Sequence, residues 1–302
     1  MPTALILGAS GRIGRHSAVA FRKAGWTVRT FDRARDDLTT SATGCHVIVN
    51  GWNPPNYHNW AQLVPQMTTD ILAAAKASGA AVIIPGNVYH FGDTPGIWSE
   101  ATPAKPVSRK GKIRLDMERA FAASGVQTIV LRAGNFIDPD RQGCILSALY
   151  LRQLNKRVLD LPGPPSVRQA FCYVPDWARA AVALAERRNS LARFEDIPFP
   201  GHTLTANDLQ TQAQDITGAD FRTARFPWWF IRLAAPFSEM YRELFEMRYL
   251  WQTDHALDGA KFAKLLPDFQ ATPIDQALRT YLAEGSQPHM RPAQNTQVGG
   301  TA

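Results

Sequence analysis

Cysteine is scarce in this chain of 302 residues: Cys45, Cys144 and Cys172 are its only three, and they lie far apart. No Cys-x-x-Cys pair and no His/Cys cluster stands at metal-ligand spacing, which argues against a structural zinc site and for a reducing compartment. Long apolar runs are also lacking. The most apolar stretch, FPWWFIRLAAPF at 226–237, is short, interrupted by Arg232 and bracketed by prolines, whereas a membrane-spanning helix needs about 20 apolar residues. The first residues enter a strand-like run, TALILGAS, with no basic, apolar and small-residue regions in succession. No signal peptide is read there, and a cytoplasmic protein is expected. There is no internal repeat. The net charge of +7 favours anionic partners in a general way. Its basic residues are scattered and no nucleic-acid motif accompanies them, so neither nucleic acid nor a membrane is the expected partner. An acidic small molecule accounts for the charge as well. What remains is an ordinary globular composition with enough residues for a sizeable core.

Short apolar runs alternate with helical patterns through the first half. ALILGA (4–9) precedes a helix pattern over 12–24 that stops at Gly25; WTVRTFD (26–32) and HVIVNGW (46–52) read as strands. Leu63, Met67, Ile71, Leu72 and Ala75 then recur at helical spacing up to a stop at Gly79. Strand AVIIPGN (81–87), a helix over about 108–123 stopping at Gly125, and strand QTIVLRAGN (127–135) follow. This alternation implies a Rossmann-type α/β fold with a doubly wound parallel sheet. Continuous apolar segments such as VIIP and TIVL suit strands covered on both faces. Beyond Asn135 the pattern loosens into a turn-rich loop, a strand running into a helix (FCYVPDWARAAVALAER) and a returning strand at 193–199. The expected organisation is a dinucleotide-binding part over 1–165, joined by that returning strand. A smaller, mostly helical substrate-binding region over 166–285 and a disordered tail over 286–302 complete it.

GASGRIG (8–14) directly follows the first strand and opens the first helix. A dinucleotide site needs glycines there: Gly8 for the tight turn, Gly11 for approach of backbone to a pyrophosphate, and Gly14 for close packing of helix on strand. Ser10, Arg12 and Ile13 complete the run, and the free amides of the helix N-terminus favour phosphate. Asp32 ends the second strand at the expected distance. An acid there suits the ribose hydroxyls of NAD and repels a 2′-phosphate. Arg33 beside it, and Arg12 in the loop, leave NADP as the alternative.

The glycine spacing, with NVYHFGD (87–93), RKGK (109–112), LRAGNFIDP (131–139) and FCYVPDWARA (171–180), resembles the extended short-chain dehydrogenase/reductase superfamily. It looks most like the NAD-dependent epimerase/dehydratase branch, over roughly residues 3–283. The resemblance implies an NAD(P)-dependent oxidoreductase, epimerase or dehydratase acting on a small polar or anionic substrate such as a sugar or nucleotide sugar. A homodimer is compatible with it. The other reading is a cofactor-binding regulator or scaffold that has lost its chemistry.

Members of that superfamily use a Ser or Thr after a sheet strand and then Tyr-x-x-x-Lys on the following helix. Placed on this chain, the resemblance puts Lys112 at the lysine, Ser108 at the tyrosine and Asn87 at the serine. Ser108 is too weak an acid to replace a tyrosine alone, and its other reading is a helix N-cap. Arg109, Lys110, Lys112 and Arg114 crowd the start of this helix against its dipole, which suggests an anion nearby. Tyr89, two residues past Asn87, faces the same side if the chain stays extended, making Tyr89 with Lys112 a candidate relocated acid/base pair. His58 in NPPNYHNW is a further candidate. Asn50, Gly51, Trp52 and Pro85 are expected beside the cofactor, and Asn135 and Arg168 beside the substrate. The aromatic stretch from Arg225 to Trp251 either lines the substrate cavity or packs as core.

Overall fold

Strand β1 (Thr3–Leu7) is buried along its whole length: Ala4 and Ile6 pack on one face, Leu5 and Leu7 on the other. A strand with apolar side chains on both sides needs cover on both, and the topology supplies it. The computed structural model describes residues 1–54, 58–140 and 144–284. The expected 286–302 tail lies outside them.

After β1 come α1 (Arg12–Lys23), β2 (Thr27–Phe31), α2 (Leu38–Ala42), β3 (Val47–Asn50), α3 (Trp60–Ser78) and β4 (Ala81–Gly86). Short strand β5 (Gly96–Trp98), α4 (Arg109–Ala123) and β6 (Thr128–Arg132) follow. Then come β7 (Asn135–Ile137), β8 (Val158–Leu161), β9 (Gln169–Tyr173), α5 (Val174–Glu186) and β10 (Phe194–Pro198). The chain continues through β11 (His202–Leu204), α6 (Ala206–Thr217), β12 (Arg222–Arg225), α7 (Trp228–Ala234) and α8 (Glu239–Glu246). Strand β13 (His255–Leu257), α9 (Ala260–Leu265) and α10 (Ile274–Glu284) end the described chain.

Six strands in the order β10-β6-β4-β3-β1-β2 form one sheet, every neighbouring pair parallel. Helices α1 and α5 cover one face through Ile13, Phe21, Trp177 and Ala181, with Phe262 of α9 in the same core. Helices α2, α3 and α4 cover the other through Leu38, Val64, Ile71, Met117 and Phe121. The fold is the expected doubly wound Rossmann type, and β10 is the returning strand, paired with β6.

The remaining elements form a second core around Leu146, Tyr150, Phe171, Phe226, Trp228, Trp251 and Tyr281. Three small sheets, β11-β9-β7, β12-β8 and β13-β5, run through it. The last joins a strand before α4 to one after α8, stitching the two halves together. Helix α5 comes late in sequence yet lies against α1 on the large sheet, so the chain re-enters the first half before leaving it again. Because the large sheet is parallel, the C-terminal ends of β1, β2, β3, β4 and β6 open on one edge, where ligands of this fold class bind.

Candidate active site

The glycine loop at that edge is packed too tightly for side chains. Gly8 has φ +66°, and its carbonyl accepts the Gly11 amide at 2.9 Å. A Cβ on Gly14 would fall 2.1 Å from the Gly8 carbonyl oxygen. One on Gly51 would fall 2.5 Å from the Leu7 oxygen and 2.9 Å from the Gly14 nitrogen. Gly8, Gly14 and Gly51 therefore interlock, and Gly51, expected at the cofactor itself, is required by the loop's own packing. Around Gly11 the nearest atom to such a Cβ is the Gly8 oxygen at 3.2 Å. The first turn of α1 carries no acidic residue, so its unsatisfied amides, including those of Ile13 and Gly14, are available to an anion. This cradle fits a dinucleotide pyrophosphate.

Asp32 follows β2 directly and is open to solvent, with Oδ1 accepting the Ala34 amide at 3.0 Å and Arg35 3.5 Å from Oδ2. Arg33 lies over the Trp52 ring at 4.6 Å, and Trp52 meets Phe31 edge-on. Arg12, an expected 2′-phosphate partner, is directed elsewhere: its Nε donates to Asp138 Oδ2 at 3.1 Å. Buried Asp138 also meets Arg15 and His16. Burial pushes its carboxyl up, but the His16 hydrogen bond, the Asp140 amide and the charges of His16 and Arg12 outweigh that and hold it below the usual range. Of the two arginines, only Arg33 stays beside Asp32.

Asn50, the last residue of β3, and Asn87, the residue after β4, turn the chain in the same way. Each side-chain oxygen accepts the amide two residues on, from Trp52 and Tyr89 respectively, both at 3.0 Å. These Asx turns direct both carboxamide oxygens to local backbone. The chain does not stay extended past Asn87: Tyr89–Phe91 is a 3-10 turn, so Tyr89 and Asn87 do not share a strand face. Tyr89 is half-buried between the two cores instead.

Helix α4 requires a larger correction. Ser108 is its N-cap, accepting the Gly111 amide at 3.1 Å, and Lys112 is exposed. The buried face carries Lys110, Gly111, Arg114, Met117, Glu118 and Phe121. The inward pair at four-residue spacing is therefore Lys110 and Arg114. Placing Ser108 and Lys112 together turned the expected pair by two residues, about 200° around the helix. Arg114 donates to the carbonyl of Pro85, the β4 residue expected near the cofactor. Burial lowers the Arg114 pKa, partly offset by Glu118 and Tyr89.

Lys110 is 1% exposed and its ammonium meets Glu243 of α8. Burial lowers its pKa, while the Glu243 hydrogen bond and charge oppose the shift. Glu246 accepts the Arg109 backbone amide at 2.7 Å, and the Arg109 guanidinium reaches Glu243 at 2.5 Å. At the N-terminus of α3, Glu239 accepts the Asn59 amide at 3.2 Å and meets His58 at 2.9 Å. Glu239, Glu243 and Glu246 lie four and three residues apart, on one side of α8. One short helix thus brings three carboxylates to the starts of α3 and α4, where the helix dipoles favour them. The anion suggested by the basic crowd at α4 is supplied by the protein itself.

The profile of the NAD dependent epimerase/dehydratase family matches residues 4–197. The chain belongs to that family. NAD is the dinucleotide of that family. The fold matches MoeE5 in complex with UDP-glucose and NAD at TM-score 0.71 and 18% identity, over 93% of this chain and 97% of that one. It matches UDP-glucuronic acid 4-epimerase from Bacillus cereus, in complex with UDP-glucuronic acid and NAD, at TM-score 0.74 and 16% identity, over 94% and 98%. The NDP-hexosamine 5,6-dehydratase TunA matches at TM-score 0.70 and 18% identity, over 94% and 97%. Comparison with curated protein sequences gives no match.

Within this family frame the other expected residues separate. Asn135 begins β7, next to the sheet edge. Arg168 is exposed and held by Asp254, Nε to Oδ1 2.8 Å. The loop from Asn50 to Trp60 includes residues 55–57, which lie outside the described residues. Three features were missed in sequence. Arg132, fully buried at the end of β6, joins Glu118 at 2.8 Å, Asp196 at 2.6 Å, His90 at 2.9 Å and the Asn87 carbonyl at 2.5 Å. Its guanidinium bonds all three groups of the His90, Glu118 and Asp196 cluster, which otherwise has the spacing of a metal site. Tyr249 places its hydroxyl 3.4 Å from Ser108 Oγ, and burial pushes its pKa up to about 12. Glu243 is the third. A lone arginine ending the apolar run TIVLR, and acids at helical spacing in SEMYRELFE, were the available signals.

Proposed function

We propose that this protein is an NAD-dependent enzyme that epimerises, dehydrates or oxidises a nucleotide-linked sugar. The observation that carries the reading is the side-chain-free cradle of Gly8, Gly11, Gly14 and Gly51, with Asp32 one strand away. NAD bound there supplies a reversible hydride acceptor. Gly11 and the first amides of α1 would hold the pyrophosphate, and the Asp32 carboxylate the adenosine ribose. Structural relatives crystallised with UDP-glucose and UDP-glucuronic acid support a nucleotide sugar as substrate.

For proton transfer, Lys110 replaces the tyrosine. It occupies the inward face of α4, it is buried, and Glu243 beside it compensates the charge that appears or disappears. An ammonium in a dry setting is a stronger acid than one in water, as proton transfer near neutral pH requires. Tyr89 is the second candidate, its phenol lying in the field of Arg114.

Calorimetric titration with NAD, NADH, NADP and NADPH comes first, followed by incubation with UDP-sugars and product analysis. The expectation is micromolar binding of the NAD pair, with weakened binding in Asp32→Ala. Lys110→Met should lower turnover at least about 100-fold with NAD binding intact, whereas Tyr89→Phe should leave it within a few fold. Binding of none of the four dinucleotides would sink the enzyme reading. The reverse order of the two variants would move the proton to Tyr89.

A further inference from the structure

The second half carries an apolar surface that the site does not use. In α7, Trp228 and Ile231 are buried, and Trp228 Nε1 donates to the Pro162 carbonyl at 2.7 Å, fixing the helix to the core. Apart from Arg232 the rest of that short helix is apolar as well. Trp229 is 68% exposed, Leu233 66% and Phe237, just beyond, 92%, with Phe230 and Met240 beside them. Isolated exposed apolar residues need no explanation, but five within twelve consecutive residues mark a docking face.

Charge around this face is sorted. The acids of α8 turn toward α3 and α4, where Glu239 meets His58, Glu243 meets Arg109 and Lys110, and Glu246 meets Arg109. Arg232 and Arg242 are exposed, and so are Arg222 and Arg225 on the strand that leads into α7. A cavity of about 570 Å³ beside the ridge is lined by Trp228, Trp229, Arg232, Leu233, Phe245 and Arg248. It has two guanidinium groups, four apolar side chains and no carboxylate. The Arg248 guanidinium lies 5.5 Å from the Trp228 ring, and its Nε is buried with no hydrogen-bond partner among the described residues.

We propose that the ridge of Trp229, Phe230, Leu233, Phe237 and Met240 docks on an anionic phospholipid bilayer, with Arg232 and Arg248 taking lipid phosphate in the adjoining cavity. Among the described residues no helix is long and apolar enough to cross a membrane, so the contact is with one leaflet. Aromatic and leucine side chains enter the boundary between headgroups and acyl chains, while arginines at their margin pair with phosphate. A second copy of this chain fits the face less well. A two-fold contact would set the positive patch of Arg232 and Arg248 against the same patch of the other copy, while Glu243 is already engaged by Arg109, Lys110 and Arg242.

Co-sedimentation with large vesicles tests this directly. The full chain should bind vesicles of three parts phosphatidylcholine to one part phosphatidylglycerol. Binding should fall at least about tenfold on pure phosphatidylcholine, or when NaCl rises from about 0.1 to 0.5 M. Trp229→Ser with Leu233→Ser should lower it at least about tenfold. Arg232→Glu, which keeps the apolar ridge, should lower it at least about fivefold. All these positions are exposed, and unchanged circular dichroism establishes that the variants fold. Absence of binding to the anionic vesicles overturns the proposal, as does binding indifferent to both substitutions. Dimerisation abolished by Trp229→Ser, without vesicle binding, gives the face to a second copy instead.

Discussion

Replacing Glu243 by Gln tests the buried charge pair at the start of α4. Lys110 is 1% exposed, and Glu243 supplies its carboxylate partner. Around the ammonium stand Glu243 and Glu246, which favour its charge, Arg109, which opposes it, and the Trp60 ring at 5.9 Å. Removing one member of a buried pair costs about 3–5 kcal/mol, because the survivor is left charged and dry. Lysine has an escape: it can lose its proton. That limits its part of the penalty to about 1.36 kcal/mol for each pH unit below its ordinary value of 10.5. The ceiling is about 5 kcal/mol at pH 7 and about 2 kcal/mol at pH 9. The sign follows from proton counts. Burial depresses the folded pKa, so between that value and 10.5 the unfolded chain holds more protons and stability rises with pH. Urea unfolding of Glu243→Gln at pH 7, 8 and 9 should therefore show a large loss at pH 7 that shrinks toward pH 9. Lys110→Met in the same background should recover most of it, since an apolar side chain then faces a neutral amide. A loss independent of pH, or a double variant no more stable than Glu243→Gln, would refute a charged Lys110 held by Glu243.

Gly14→Ala gains helix propensity but places a Cβ 2.1 Å from the Gly8 oxygen. Strain should win, lowering stability by at least about 1–3 kcal/mol and weakening NAD binding, as denaturation and calorimetry would show. Ser108→Ala should cost about 1 kcal/mol through the lost N-cap, while exposed Lys112→Ala stays within about 0.5 kcal/mol. Loss of NAD binding in Lys112→Ala would return that lysine to the cofactor site. Burial lowers His90 to about 3 and His255 to about 4 from 6.5. The unfolded chain alone takes up these protons as pH falls below 6.5, so each imidazole removes up to about 1.4 kcal/mol per pH unit until its folded pKa is reached. Unfolding free energies that stay flat from pH 6.5 to about 4.5 would contradict this, and His90→Gln should remove about half of these two residues' share of the slope.

Local pattern was enough for much of the molecule. The run GASGRIG after an apolar strand specified the turn, the helix start and the need for glycine, because those constraints act within a few residues. The alternation of strand and helix specified a parallel sheet, and RFEDIPF was recognisable as a strand even though its partner, β6, lies more than sixty residues earlier. Helix α4 was equally legible as a helix, with Ser108 in front and Gly125 behind. Its inward face was not. The sequence KGKIR offers cations at 110, 112 and 114, and periodicity alone allows either Lys112 or the pair Lys110 and Arg114 to turn inward. Packing of Gly111 against the Tyr89 carbonyl, where a Cβ would stand 2.7 Å away, sets the rotation of the helix and buries Lys110 and Arg114. Lys110 is held there by Glu243, 133 residues later, which arrives opposite it. Arg132 likewise gathers Glu118, Asp196 and His90 from three separate segments. Backbone turns, caps and strand character follow from neighbouring residues, so the sequence alone determined the cofactor loop and the sheet. Which charges meet depends on how distant segments are brought together, so only the tertiary structure decided that Lys110 and Arg114, rather than Lys112, turn inward and which carboxylates face them.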